Sequence, residues 1–190
     1  TENFLATMAS MSELGIDGSV IQVKTVEQIS TLDGLIIPGG ESTVIGQMSL
    51  VNGAIKKIKE KIESGMPVFG ICAGMVFLSK NSQDRIVGNV DQPLLDILDV
   101  KIERNSFGRQ KDSFEAKISM EPIGISSFHG VFIRAPSVSE TGSGVEVLAK
   151  FNEKIVAVKQ GNVIATAFHP ELTKDTSLHK SFVKLVDNQS

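Results

Sequence analysis

Gly70-Ile71-Cys72-Ala73-Gly74 places the only cysteine of the chain between two glycines, where an apolar run, Pro67 to Ile71, gives way to helix-forming residues, Ala73 to Ser79. A thiol at such a strand-to-helix turn has the form of a nucleophile elbow, with Cys in the Ser position. The turn crowds the positions two before and two after the nucleophile and strains the central residue, so small residues are needed there, and Gly70 and Gly74 supply them. The thiol then lies at a helix N-terminus, where unpaired N–H groups favour thiolate. A cysteine of ordinary pKa, near 8.5, is only about 3% ionised at pH 7, so this environment bears directly on reactivity. The alternative for Cys72 is a small buried hydrophobe.

A cysteine nucleophile needs a base and a group that orients the base. His169-Pro170-Glu171 follows the apolar run Val163 to Phe168 and so sits at a strand end. Residues i and i+2 of an extended backbone point the same way, which would let Glu171 accept from one imidazole nitrogen while the other faces Cys72. His129, beside Gly130 and read as a turn, and His179, beside Lys180 on the last helix, have no such neighbourhood and are expected to be structural or solvent-facing. Pro38-Gly39-Gly40-Glu41-Ser42 follows another apolar run, and its glycines would let backbone N–H groups meet a developing negative charge. An arginine of the polar cluster Arg104 to Gln110, which also holds Arg109, or Arg134 in Phe132-Ile133-Arg134-Ala135-Pro136, could clamp a carboxylate in bidentate fashion. Surface ion pairing is the alternative for both.

These residues need a frame. Leu5, Met8, Met11 and Leu14 fall near helical spacing before Gly15, which predicts a helix over 2–14. Ser19 to Lys24 alternates as a short strand, and Leu35 to Ile37 is an apolar run ended by Pro38. Val51, Ala54, Ile55, Ile58 and Ile62 predict one helix face opposite Lys57, Glu60 and Lys61. From Leu98 to Phe168 strands dominate: Val100 to Glu103, Ser113 to Met120, Val131 to Ile133, Val145 to Phe151, Ile155 to Lys159 and Val163 to Phe168. Leu178, Phe182, Leu185 and Val186 close the chain as an amphipathic helix. Alternating strands and helices followed by a strand-rich half predict a single α/β domain with a mixed sheet and helices on both faces.

Composition narrows the function. The 190 residues carry 19 Lys and Arg against 22 Asp and Glu, a formal charge of -3 with no basic mass, which disfavours nucleic acid and acidic membranes as partners. No apolar run approaches the roughly 20 residues of a bilayer span and no signal-peptide layout is present, so a cytoplasmic protein is expected. One cysteine and three histidines give no metal-ligand cluster, and no cofactor is expected.

Taken together, the Gly-x-Cys-x-Gly elbow and the distant His-x-Glu resemble the class I (triad) glutamine amidotransferases. The narrower resemblance is to the glutaminase subunits of pyridoxal 5'-phosphate synthase. It rests on Pro38 to Thr43, Cys72 to Met75, Glu103 to Gln110, Phe132 to Pro136 and Phe168 to Leu172, blocks spread over nearly the whole chain. The resemblance implies a three-layer, flavodoxin-like fold with a mixed, mostly parallel central sheet. It also implies Cys72 as nucleophile, His169 as general base and acid, and Glu171 as the orienting carboxylate. Gly40, Glu41, Ser42, Arg104, Ile133 and Arg134 would bind L-glutamine, with the N–H groups of Gly40 and Ala73 as oxyanion hole. A hetero-oligomeric synthase subunit that builds the vitamin from sugar phosphates would receive the ammonia, while this chain, with no phosphate-binding loop, would not bind the product. Two departures stand out: the family usually begins with a strand ending in a Leu-Gln-Gly type turn, whereas this sequence opens at Thr1 in the helix that follows, and Ile71 replaces a smaller polar residue. Two other readings stay open, a glutaminase subunit of another biosynthetic synthase and a non-catalytic thiol sensor of similar fold.

Overall fold

In the computed structural model, which describes residues 1–84, 88–89, 91–107 and 113–189, the first helix, α1 (Glu2–Leu14), ends at Gly15. The left-handed backbone of that glycine, φ 69°, returns its N–H to the carbonyl of Ser12. The strand expected over 19–24 is absent: the segment pairs with no strand among the described residues. Its burial does not follow its alternation, since Ile21 is exposed along with Ser19, Gln22 and Lys24, so no apolar face is offered to a neighbour.

A single turn, α2 (Val26–Ile29), leads to β1 (Leu35–Ile37), and two helices follow, α3 (Ser42–Val51) and α4 (Ala54–Glu63). The helix face expected from Val51 onward is therefore shorter than predicted. Gly53, at φ 78°, breaks the helix, and Val51, 86% exposed, ends α3 while Ala54 and Ile58 form the buried stripe of α4. Next come β2 (Val68–Ile71), buried along its whole length, and α5 (Ala73–Leu78). The second half is strand-rich as expected, with β3 (Ser79–Asp84), β4 (Gly88–Asn89), β5 (Leu98–Arg104), β6 (Ser113–Met120), β7 (Ile125–Ile133), β8 (Ser137–Thr141), β9 (Glu146–Phe151), β10 (Lys154–Gln160) and β11 (Val163–Thr166) before α6 (Ser177–Asp187). Neither β3 nor β8 is announced by its residues: Ser-Lys-Asn-Ser-Gln-Asp becomes a strand because it lies parallel to β5. Gly130 is not a turn but an interior residue of β7, where a Cβ would meet Ile118 Cδ1 at 2.6 Å and Phe132 Cε2 at 3.1 Å.

The sheet is mixed, in the order β1-β2-β11-β10-β8-β5-β3-β4 with β9 against β10, and β6 and β7 form a separate hairpin. The strands β1, β2 and β11 run parallel, which sends three carboxyl ends to one edge. Helix α6 covers β2 from one side, with the Phe182 ring 5.9 Å from that of Phe69. The buried side chains form one continuous cluster from Ile29 to Phe182, including Phe69, Phe77, Phe128, Phe132 and Phe168. Among the described residues no helix is long and apolar enough to cross a membrane.

Candidate active site

The elbow forms where the parallel strands end. Gly70 and Ile71 lie opposite Ile37 of β1 and Thr166 of β11 respectively. One residue on, Cys72 takes the turn with φ 51° and ψ -102°, a strained conformation for a residue with a Cβ. Its N–H donates to the Thr166 carbonyl at 2.7 Å, which fastens the turn to β11. The two glycines answer to packing: a Cβ at Gly74 would stand 2.1 Å from the Ile37 carbonyl oxygen, and one at Gly70 would stand 2.4 Å from Leu78 Cδ1 and 3.0 Å from the Gly74 backbone. Ile71, the departure noted in the sequence, is fully buried. Cys72 itself is 8% exposed, and that exposure opens on a cavity of about 390 Å³. The cavity wall takes in Gly40, Glu41, Ser42, Cys72, Ala73, Arg104, Ile133, Arg134 and His169, while Glu171 is not part of it.

Glu171 stands behind the histidine. The His169 Nδ1–H donates to Glu171 Oε1 at 2.9 Å, leaving the other ring nitrogen for Cys72. This contact does not arise from extended backbone as the sequence suggested; Pro170–Leu172 form a 3-10 turn that folds the carboxylate back on the ring. The His169 N–H donates to the Val131 carbonyl at 2.8 Å, which fastens the backbone at the histidine to β7. Gly39 closes its other side: a Cβ there would stand 2.4 Å from His169 Cε1. Burial pulls the His169 pKa down, but the hydrogen bonds to Cys72 and Glu171 and the charges of both outweigh it and push the pKa up to about 10. The ring is therefore an imidazolium at neutral pH, between sulfur and carboxylate.

The remaining Glu171 oxygen, Oε2, is buried and has no hydrogen-bond partner among the described residues. His179, expected to be structural or solvent-facing, is wholly buried; its Nε2 lies 3.0 Å from Asn3 Oδ1 of α1. Burial lowers its pKa to about 4 despite the attraction of Glu171, so it is neutral. His129 is exposed, its Nε2 lies 2.7 Å from Glu115 Oε2 across the β6–β7 hairpin, and it does not line the cavity.

The opposite wall is polar. Arg104 Nη2 donates to Glu41 Oε1 at 3.0 Å, and Glu41 also caps α3 by accepting the Thr43 N–H at 3.3 Å. Ile133 turns its carbonyl toward the thiol, 3.9 Å from Cys72 Sγ. Arg134 is exposed at φ 44°. Arg109, the other arginine of the predicted clamp, lies outside the described residues, as do Gly108 and Gln110 of that block. Sequence reasoning did not single out Val76, Asn105, Pro136 or Gln92. The first three line the cavity, and Asn105 was visible only as part of the polar cluster; its signal is a positive φ of 53° fixed by donation from Nδ2 to Asp84 Oδ2 at 2.7 Å. Gln92 carries no local signal at all.

Chemically, the wall offers a cysteine sulfur beside a protonated imidazole, a carboxylate behind the ring, helix-end N–H groups at Ala73 and a cationic side across the cavity. That set suits attack on a carboxamide borne by an amino acid. Comparisons with known proteins agree. Residues 4–188 match the model of the SNO glutamine amidotransferase family. The chain is 63% identical over 185 residues to the pyridoxal 5'-phosphate synthase subunit PdxT of Nitrosopumilus maritimus (strain SCM1), covering 97% of this chain and 90% of that protein. It is 48% identical to the PdxT of Methanothermobacter thermautotrophicus, covering 99% and 92%. A crystal structure of a glutamine amidotransferase superposes with a TM-score of 0.85 at 42% identity, covering 96% of this chain and 93% of the other.

Proposed function

The chain belongs to the SNO glutamine amidotransferase family, and we propose that it works as a single-domain, cytoplasmic glutaminase in which Cys72, His169 and Glu171 form the triad. It hydrolyses L-glutamine to L-glutamate and ammonia as the glutaminase subunit of a pyridoxal 5'-phosphate synthase. The observation that carries the site assignment is the His169 ring held between Cys72 and Glu171 at the wall of a cavity that also presents Arg104 and Arg134.

The Cys72 thiolate attacks the side-chain carbonyl carbon of glutamine, and the oxyanion that develops is met by the N–H groups of Gly40 and Ala73. The Ala73 N–H is free for this role because the first N–H groups of a helix precede any carbonyl of their own helix. The His169 imidazolium gives its proton to the departing nitrogen, ammonia leaves, and a thioester remains. Neutral His169 then takes a proton from water as it attacks the thioester, releasing glutamate and restoring the thiolate. Arg104 and Arg134 receive the α-carboxylate, while Glu41, Ser42 and Ile133 complete the pocket.

Ammonia released into bulk water is protonated and loses its nucleophilic lone pair, so a hetero-oligomeric synthase partner with a protected path is the receiver this chemistry calls for. Three outward side chains of α3, Val44, Met48 and Val51, share one face of the helix that starts at the Gly40 loop, an apolar surface suited to a protein partner.

The assay is steady-state ammonia release with and without the synthase, together with labelling of Cys72 by a glutamine-derived electrophile. Release should be weak alone and rise strongly in the complex, and labelling should be selective for Cys72 and lost in His169→Ala. Labelling indifferent to that substitution would favour the thiol-sensor reading instead.

A further inference from the structure

Gln92 lies outside the cavity lining and in no motif, yet it is buried and its amide joins two parts of the pocket. Oε1 accepts from Thr43 Oγ1 at 3.0 Å, from Ser42 Oγ at 3.2 Å and from Arg104 Nη1 at 3.3 Å, while Nε2 donates to Ser82 Oγ at 3.0 Å. A guanidinium can only donate, so the oxygen must be the atom facing Arg104. The segment carrying it is seated firmly: Gly46 of α3 lets the Pro93 backbone come so close that a Cβ at position 46 would stand 2.4 Å from the Pro93 carbonyl oxygen.

Resting on the glutaminase reading above, we propose that Gln92 is a positioning residue that couples the carboxylate clamp to the oxyanion loop. Three donors share an oxygen with two lone pairs. When a substrate carboxylate draws Arg104 Nη1 away, Oε1 keeps Ser42 and Thr43, and both hydroxyls gain a stronger acceptor. Ser42 and Thr43 directly follow Gly40 and Glu41, so arrival of the α-carboxylate at the arginine firms the loop that holds the oxyanion donor. Glu41, bonded to both Arg104 and the Thr43 N–H, belongs to the same linkage.

The test compares two electrophiles on Cys72 in the complex with the synthase: a diazo-ketone analogue of L-glutamine, which uses the clamp, and iodoacetamide, which does not. Gln92→Met, similar in volume but without the acceptor, should slow the glutamine analogue about tenfold, the scale of losing a charge-assisted hydrogen bond. It should also raise KM for glutamine and lower kcat, with iodoacetamide unchanged. Thr43→Val should slow the analogue in the same sense by a smaller factor, and it carries the test if Gln92→Met does not fold. Equal labelling of wild type and both variants by the analogue would overturn the coupling, and so would slowing of both reagents in proportion, which would mark a purely structural role. Failure of the analogue to label wild-type Cys72 selectively would instead refute the glutaminase reading itself.

Discussion

Gly39→Ala is the substitution that most directly tests whether the imidazole must stay where it is. The new Cβ would stand 2.4 Å from His169 Cε1, 3.1 Å from Nδ1 and 3.4 Å from Nε2. Carbon atoms settle at about 3.5 Å or more, so the ring has to retreat by about 1 Å. It cannot do so without stretching something, because Nδ1 is tied to Glu171 at 2.9 Å and the backbone N–H to Val131 at 2.8 Å. A displacement of about 1 Å between nucleophile and base costs on the order of 10²-fold in rate, or about 2.7 kcal/mol of barrier. Stability should fall only modestly, since the overpacking cost of about 1–3 kcal/mol is partly offset by alanine's restriction of the unfolded chain at a position that does not use a left-handed backbone. The measurement is ammonia release in the synthase complex alongside thermal unfolding: kcat falls about a hundredfold while Tm stays within a few degrees. A variant with near-wild-type kcat would refute the claim that His169 is held in its working position by this packing.

The His169 pKa of about 10 predicts that kcat/KM holds through pH 9 and falls on a basic limb near 10, as the imidazolium that protonates departing ammonia is lost. Glu171→Gln removes one of the charges that support it and should carry that limb to lower pH; a wild-type limb near 7 would contradict the assignment. His179 resists protonation in the native state down to about 4, whereas an unfolded histidine takes its proton near 6.5. Its contribution to stability is thus whole above about 6.5 and lost as the pH falls toward 4, at most about 3 kcal/mol. His179→Phe should flatten the decline of Tm across that window, and an unchanged slope would refute the linkage. Cys72→Ser should abolish turnover and leave glutamine binding, read by calorimetry, largely intact; normal turnover would remove Cys72 from the nucleophile's role.

How much of this was legible depended on whether a constraint was local. Gly70 and Gly74 could be interpreted because the elbow is a short-range device: the atoms that exclude a Cβ there belong to Leu78, to Gly74 itself and to the strand alongside. His169 and Glu171 were likewise legible as a pair, though the 3-10 turn that joins them was not, since Pro170 opens a tight turn as readily as it fits an extended run. The segment 19–24 and residue Val51 misled for a common reason. Periodicity reports a residue's own preference, whereas a strand needs a neighbour and a helix face needs something to cover it. Gln92 and β3 mark the opposite case, polar residues given their roles by partners distant in the sequence: Thr43 and Ser42 for Gln92, and β5 for β3.

The two backbone hydrogen bonds, Cys72 N–H to Thr166 and His169 N–H to Val131, have a bearing on how such a subunit would be switched. They fasten the backbone at Cys72 and at His169 to strands, whereas Gly40, Glu41 and Arg134 are exposed on connecting loops. If the proposed triad is the working one, a docking protein has no need to assemble sulfur and imidazole, which the strands already hold; it would act on the loop of Gly40 instead. Control of such an enzyme would then be read in loop geometry rather than in the spacing of the Cys-His pair.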